Sequence, residues 1–77
     1  MSLERHIVAD PDVCGGKPIF AGTRIPVYIV LELLEGGVSP QEIVGPDYYP
    51  SLTLDHIKAA LHFAVQFAKN QEVVFFQ

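Results

Sequence analysis

Residues 26–44, PVYIVLELLEGGVSPQEIV, predict two short helices joined by a tight turn. Pro26 suits the first position of a helix. The apolar residues after it repeat at helical spacing, at Val27, Val30, Leu31 and Leu34. Gly36-Gly37 is a typical helix end, and Ser39-Pro40-Gln41-Glu42 has the form of a capping box. Helices are therefore predicted over about 26–36 and 39–45.

A third helix is predicted over about 53–70, where Thr53 is a suitable N-cap and no Pro or Gly interrupts the segment. One stripe of this helix predicts its core face: Leu54, Ile57, Leu61, Ala64, Val65 and Ala68. A second face, roughly opposite, carries Ala60, Phe63 and Phe67. We expect this second face to form a dimer or partner interface, because exposed aromatic residues mark contact sites. The alternative is that the N-terminal arm covers them.

The segments on either side of the helices have β-strand character. Residues 5–25 are predicted to form a short β-hairpin arm, with strands at Ile7-Val8-Ala9 and Pro18-Ile19-Phe20 around turn-forming residues. The tail, residues 71–77, contains the apolar run Val73, Val74, Phe75 and Phe76, which could add a strand to a partner's sheet or to a second copy. The predicted fold class is mainly α, with one domain over 1–77: a three-helix bundle carrying a hairpin arm.

The composition favours self-association. The chain has 77 residues, of which 49% are hydrophobic and 18% charged. A domain of this size buries too little surface to be very stable alone, and the single cysteine, Cys14, cannot form an intrachain disulfide. We therefore expect a homodimer. The cytoplasm is the expected compartment, because the sequence shows neither a signal peptide nor an apolar run long enough to cross a membrane.

No side-chain pattern in the sequence predicts catalysis, a cofactor site or a metal site. Cys14 lies beside two glycines without a catalytic context, and the acids are scattered. The net charge of −4 argues against strong attachment to nucleic acid. The candidates for weak nucleic-acid contact are Lys17, Arg24, His56, Lys58 and His62. The alternatives are a solvated polar face for the third helix and an intramolecular ion pair for Arg24.

The segment Gly15 to Val27 resembles the GGKPxxxGTRIPV signature of the family called domain of unknown function 433. Later stretches are similar to further motifs of that family in the same order, at 30–37, 39–43 and 49–61. The resemblance implies a homeodomain-like helix-turn-helix bundle without a wing. It also implies an antitoxin role beside a nuclease toxin of PIN-related fold, in a family whose members are similar to dimeric antitoxins.

The leading hypothesis is a non-enzymatic antitoxin-type module that dimerises, neutralises a PIN-like nuclease toxin and binds its own promoter DNA weakly. Capture of the toxin is expected to be mainly apolar and to depend on the tail, with Arg24 secondary. The alternative hypothesis is a stand-alone helix-turn-helix transcriptional regulator without a toxin partner. A third is a purely structural interaction domain.

Overall fold

The computed structural model describes residues 6–70 of the chain. A two-stranded antiparallel sheet is formed by β1 (Ile7–Ala9) and β2 (Pro18–Phe20), with a single 3-10 turn at Cys14–Gly16 between them. Three helices follow: α1 (Val27–Glu35), α2 (Pro40–Ile43) and α3 (Leu54–Lys69). The prediction of three helices after a short hairpin is confirmed, and each observed helix end lies within two residues of its predicted position.

Two glycine-containing turns give the hairpin its shape. Gly15 and Gly16 have φ angles of 66° and 85°, a region that favours glycine, and they reverse the chain between the strands. After β2, the chain turns again at Gly22, whose φ is 77°. Thr23 holds this second turn closed, because its Oγ1 donates a hydrogen bond to the Phe20 carbonyl at 2.8 Å and accepts one from the Ile25 amide at 3.0 Å. The chain thereby enters α1 beside β2.

The core lies between the hairpin and the three helices. Its centre is Phe20, whose side chain is fully buried. The other buried residues packed with it come from all three helices and from the link before α3: Val27, Val30, Ile43, Leu52, Ile57 and Ala60. Half-buried apolar residues such as Leu31 and Leu34 pack against this centre, in agreement with the predicted apolar stripe of α1.

The predicted capping box at the start of α2 is confirmed. Ser39 Oγ accepts a hydrogen bond from the Glu42 amide at 3.2 Å, and Glu42 Oε1 accepts one from the Ser39 amide at 3.3 Å. These two bonds satisfy backbone amides that have no partner within the helix. A helix of only four residues is thereby fixed in place, and it delivers Ile43 to the core.

The predicted core stripe of α3 is wrong for most of its members. Ile57 is buried at 2% exposure, but Leu54, Leu61 and Val65 are 50%, 47% and 52% exposed. The residues that α3 buries besides Ile57 are Ala59 and Ala60. Small side chains allow close approach of the helix, and the bulk at this contact comes from partners such as Phe20. The helix is therefore turned so that Leu54, Leu61 and Val65 face outward.

The connection between α2 and α3 is long. Residues 44–53, ten in number, separate the two helices. A helix-turn-helix unit joins its helices by about three or four residues. The structure therefore shows a three-helix domain with a hairpin. The connection between α2 and α3 is longer than the turn of a helix-turn-helix unit.

Candidate binding surfaces on the third helix

One candidate surface is an apolar groove between β1 and α3, which we call the hairpin groove. It has a volume of about 330 Å³. The sheet contributes Ile7, Val8, Ala9 and Pro18, and α3 contributes Ala59, His62, Phe63 and Gln66. The groove is open to solvent along the side where Val8 is 43% exposed. An apolar channel of this kind suits a chain segment that carries hydrophobic side chains.

The wall of the hairpin groove formed by β1 is also the edge of the sheet. In the described residues, β1 pairs with β2 alone, and the Ala21 amide donates a hydrogen bond to the His6 carbonyl at 2.8 Å. Hydrogen-bonded and non-bonded pairs alternate along an antiparallel ladder. The backbone groups of Ile7 and Ala9 therefore point away from β2. An extended segment entering the groove could pair with them as a third strand.

A second candidate surface is the outward side of α3. Leu54, Leu61 and Val65 are each about half exposed, and we call these three residues the outer row. At about 100° per residue they lie within about 40° of one another around the helix. Asp55, Lys58 and Lys69 are exposed on one side of this row. A half-exposed aliphatic row bordered by charges is typical of a contact surface.

The face that was predicted to be an interface is mostly an interior face. Ala60 is 0% exposed and belongs to the core, so its assignment to an interface is corrected. Phe63 is half-buried, packs against the core and lines the hairpin groove. Phe67 is 59% exposed, and its ring stacks on that of Phe63 with centroids 6.4 Å apart. The alternative, in which the hairpin covers this face, is the better description of Ala60 and Phe63.

His56 anchors the beginning of α3 to the hairpin. Its Nδ1 accepts a hydrogen bond from the Thr53 amide at 3.0 Å, and its ring packs edge-on against Phe20 and His6. Burial lowers the pKa of His56 below its ordinary value, the charge of His6 lowers it further, and Asp55 acts in the opposite direction. Protonation of Nδ1 would remove the acceptor of the Thr53 amide. His56 is thus suited to hold the helix start in its neutral form.

The five candidates for nucleic-acid contact do not share one surface. Lys17, Arg24 and Lys58 are exposed, whereas His56 packs against the hairpin and His62 lines the hairpin groove. His56 and Lys58 lie about 160° apart around α3. His56 therefore lies away from the other two candidates on α3, because Lys58 and His62 are only about 40° apart around the helix. Arg24 also holds the two turns of the hairpin together through its backbone, because its carbonyl accepts a hydrogen bond from Cys14 Sγ at 3.6 Å.

The apolar run of the tail, which was predicted to contact a partner, lies outside the described residues. It consists of Val73, Val74, Phe75 and Phe76. Within residues 6–70, no three His, Cys, Asp or Glu side chains are grouped closely enough to hold a metal ion. No helix in that part of the chain combines the length and the apolar character needed to cross a membrane.

Sequence reasoning missed both candidate surfaces as they stand in the structure. The hairpin groove depends on how α3 lies across β1, which no local pattern specifies. One signal was present: Ile7-Val8-Ala9 is apolar at three consecutive positions, so one side of the strand must face away from the core. The outer row was recognised as an apolar stripe but was assigned to the core.

Comparison with known proteins places the chain in a family. The model for "Protein of unknown function (DUF433)" matches residues 7–64. The uncharacterized protein y4eO of Sinorhizobium fredii (strain NBRC 101917 / NGR234) is 35% identical over 65 residues, 83% of this chain and 28% of that protein. A crystal structure of a DUF433 member from Anabaena variabilis ATCC 29413 is similar with a TM-score of 0.76 and 33% identity, over 87% of this chain and 64% of that one. The chain belongs to the DUF433 family, and it spans less than two thirds of each of these relatives.

Proposed function

We propose that this domain is a non-enzymatic antitoxin-type module, which neutralises a PIN-like nuclease toxin by occupying its surface. The observation that carries the proposal is the hairpin groove, an apolar channel of about 330 Å³ bordered by a strand edge. Such a channel binds an extended segment by two means: backbone hydrogen bonds to the strand, and burial of side chains in the groove. Binding of a protein segment is thus the activity that the geometry supports best.

The chemistry of the groove agrees with neutralisation by apolar contact. A partner could inhibit a nuclease that holds metal with acidic residues either by inserting a cation or by covering the site. The groove offers six aliphatic or aromatic lining residues but only His62 and Gln66 as polar ones. None of the cations Lys17, Arg24 and Lys58 lines the groove. Covering is therefore the mode that we propose.

The proposed pairing also gives a role to the outer edge of β1, which pairs with no second strand within residues 6–70. Exposed edges are usually shortened or covered because they pair with other chains. Here β1 has only three residues, and the groove beside it supplies apolar contacts that a third strand would bury. The edge at Ile7 and Ala9 would bind toxin by its backbone, while Val8 and Phe63 would contact side chains of the bound segment.

The experiment is co-expression with the product of the adjacent reading frame, followed by capture through a tag on that product. Val8→Glu places a charge in the groove at a residue that is already 43% exposed, so the domain should still fold. The matched control is Tyr48→Glu, at a 40% exposed residue of the link before α3. We expect the wild type and Tyr48→Glu to be captured, and capture of Val8→Glu to fall at least tenfold.

Two outcomes would contradict the proposal. If the wild type is not captured and does not inhibit the nuclease, the domain is not an antitoxin for that protein. If Val8→Glu is captured as well as the control, with unchanged circular dichroism, the toxin binds elsewhere on the domain. The second outcome would reject the groove but retain the antitoxin role.

A further inference from the structure

The outer row of α3 presents an apolar surface that residues 6–70 of one chain leave about half exposed. Leu54, Leu61 and Val65 are 50%, 47% and 52% exposed, although each is a large aliphatic residue. The spacing of seven and then four residues keeps them on one side of the helix over about three turns. This surface is distinct from the hairpin groove, whose residues on α3 lie farther round the helix.

The charges beside the outer row are complementary between two antiparallel copies of α3. Asp55 and Lys69 are both exposed and lie at opposite ends of α3, in its first and last turns. Residues 55 and 69 are equally distant from residue 62. If two α3 helices pack antiparallel about a twofold axis near residue 62, each Asp55 comes level with Lys69 of the other copy. Both residues lie on the same side of the outer row, about 40° apart around the helix, so they meet at the same rim of such a pair.

We propose that α3 is the homodimer interface, formed by antiparallel packing of two outer rows and aligned by two Asp55–Lys69 ion pairs between the copies. Leu61 lies next to the twofold axis and packs against its own counterpart. Leu54 of each copy lies level with the end of the partner helix, where Ala68 is small and exposed. The interface is isologous, as expected for a twofold dimer, because the same patch serves both copies.

The proposal extends the proposed function by giving the module a defined assembly, but it does not depend on a toxin. The hairpin groove borders the rim that carries the ion pairs, because His62, which lines the groove, lies between Asp55 and Lys69 around α3. The other groove residues of α3, Ala59, Phe63 and Gln66, lie farther from the outer row. A dimer of this form covers the outward side of α3, near Lys58, which a DNA-reading helix would need to expose.

The charges have a second explanation, which the experiment must separate from the first. An acid in the first turn and a base in the last turn stabilise a helix through its dipole, with no dimer involved. On that explanation, Asp55→Lys and Lys69→Asp each weaken the helix, and the double variant weakens it most. On the dimer proposal, each single variant places like charges together at both ends of that rim, and the double variant restores two ion pairs.

The test is sedimentation velocity of the purified chain over a range of concentrations, without toxin. We expect a dimer for the wild type, and dimer dissociation constants roughly 10- to 30-fold higher for Asp55→Lys and for Lys69→Asp. The double variant should return to the affinity of the wild type. An equimolar mixture of the two single variants should also dimerise, because each complements the other. Leu61→Glu should give a monomer, and its control Tyr28→Glu, at a 47% exposed residue of α1, should not.

Three results would overturn the proposal. A wild-type chain that stays monomeric at high micromolar concentration shows that the outer row is not a homodimer interface. A dimer that persists in Leu61→Glu lies on another surface. A dimer lost with Leu61→Glu but weakest in the double charge variant has a different alignment of the helices. Circular dichroism of each variant verifies folding, and toxin capture measured separately shows whether the groove still functions.

Discussion

The orientation of α3 can be tested by a pair of substitutions on neighbouring turns of the same helix. Ile57 and Leu61 are aliphatic residues of equal size that the sequence pattern places on the same core stripe. The structure separates them, because Ile57 is 2% exposed and Leu61 is 47% exposed. Ile57→Ala and Leu61→Ala remove similar side-chain atoms, so a difference in stability reports burial rather than chemistry.

The structure predicts a large difference between the two variants. Ile57 packs in the core with Phe20 and Val30, so truncation to alanine leaves a cavity and should cost about 2–5 kcal/mol of unfolding free energy. Leu61 has already about half of its surface in solvent, and its truncation should cost about 1 kcal/mol or less. For a domain of this size the whole unfolding free energy is on the order of 4–12 kcal/mol. Ile57→Ala therefore removes a substantial part of it.

The assay is urea denaturation followed by circular dichroism at 222 nm, because the chain has no tryptophan. The protein concentration is kept in the low micromolar range, so that any dimer contributes little. With a slope of about 1 kcal/mol per molar urea, the midpoint should fall by about 2 M or more for Ile57→Ala and by less than about 1 M for Leu61→Ala. Equal losses would show that Leu61 is in the core and that α3 has no outer row.

Four further predictions concern other parts of the chain. The unfolding temperature should fall from pH 7 to pH 5, because the pKa of His56 is lowered in the folded state and protonation therefore favours the unfolded chain. His56→Gln keeps an acceptor for the Thr53 amide and should flatten this dependence of the unfolding temperature on pH. The control His62→Gln should leave the dependence unchanged. Thr23→Ala should lower the free energy of unfolding by about 1–2 kcal/mol, because it removes both hydrogen bonds of the turn. Thr23→Ser retains the hydroxyl and should retain most of that free energy, as measured by the same urea denaturation. Affinity for random DNA in a mobility-shift assay should be weak and vanish in moderate salt; tight, salt-resistant binding that depends on Lys58 would contradict this. Deletion of residues 72–77 should reduce toxin capture while the domain stays folded, and unchanged capture would remove the tail from the interface.

The parts of the fold that depend on local chemistry could be predicted from the sequence. The ends of α1 and α2 follow from Gly36-Gly37 and from the capping box at Ser39, which work within a few residues. The turn at Gly22 likewise requires a glycine at one position and a hydroxyl at the next. These local signals act independently of the rest of the chain, and the structure contains the helix ends and the turn that they specify.

The orientation of α3 could not be predicted in the same way. Two faces of this helix are apolar, and periodicity alone favours the one with the larger aliphatic residues, around Leu61 and Val65. The choice depends on the partner surface: Phe20 fills the space between the hairpin and the helices, and the small side chain of Ala60 leaves room for it. His56 was likewise considered a surface residue, although its ring packs on Phe20. Contacts distant in sequence decide these points.

Inhibition of a nuclease by binding, the activity that we propose for this domain, can be measured by a titration of ribonuclease activity. The product of the adjacent reading frame is held at fixed concentration with a labelled RNA substrate and a divalent metal ion, and the purified domain is added in steps. We expect cleavage to decrease to zero at a fixed stoichiometric ratio, and we expect Tyr48→Glu to inhibit fully whereas Val8→Glu does not. Undiminished cleavage in the presence of excess folded domain would contradict the proposed function.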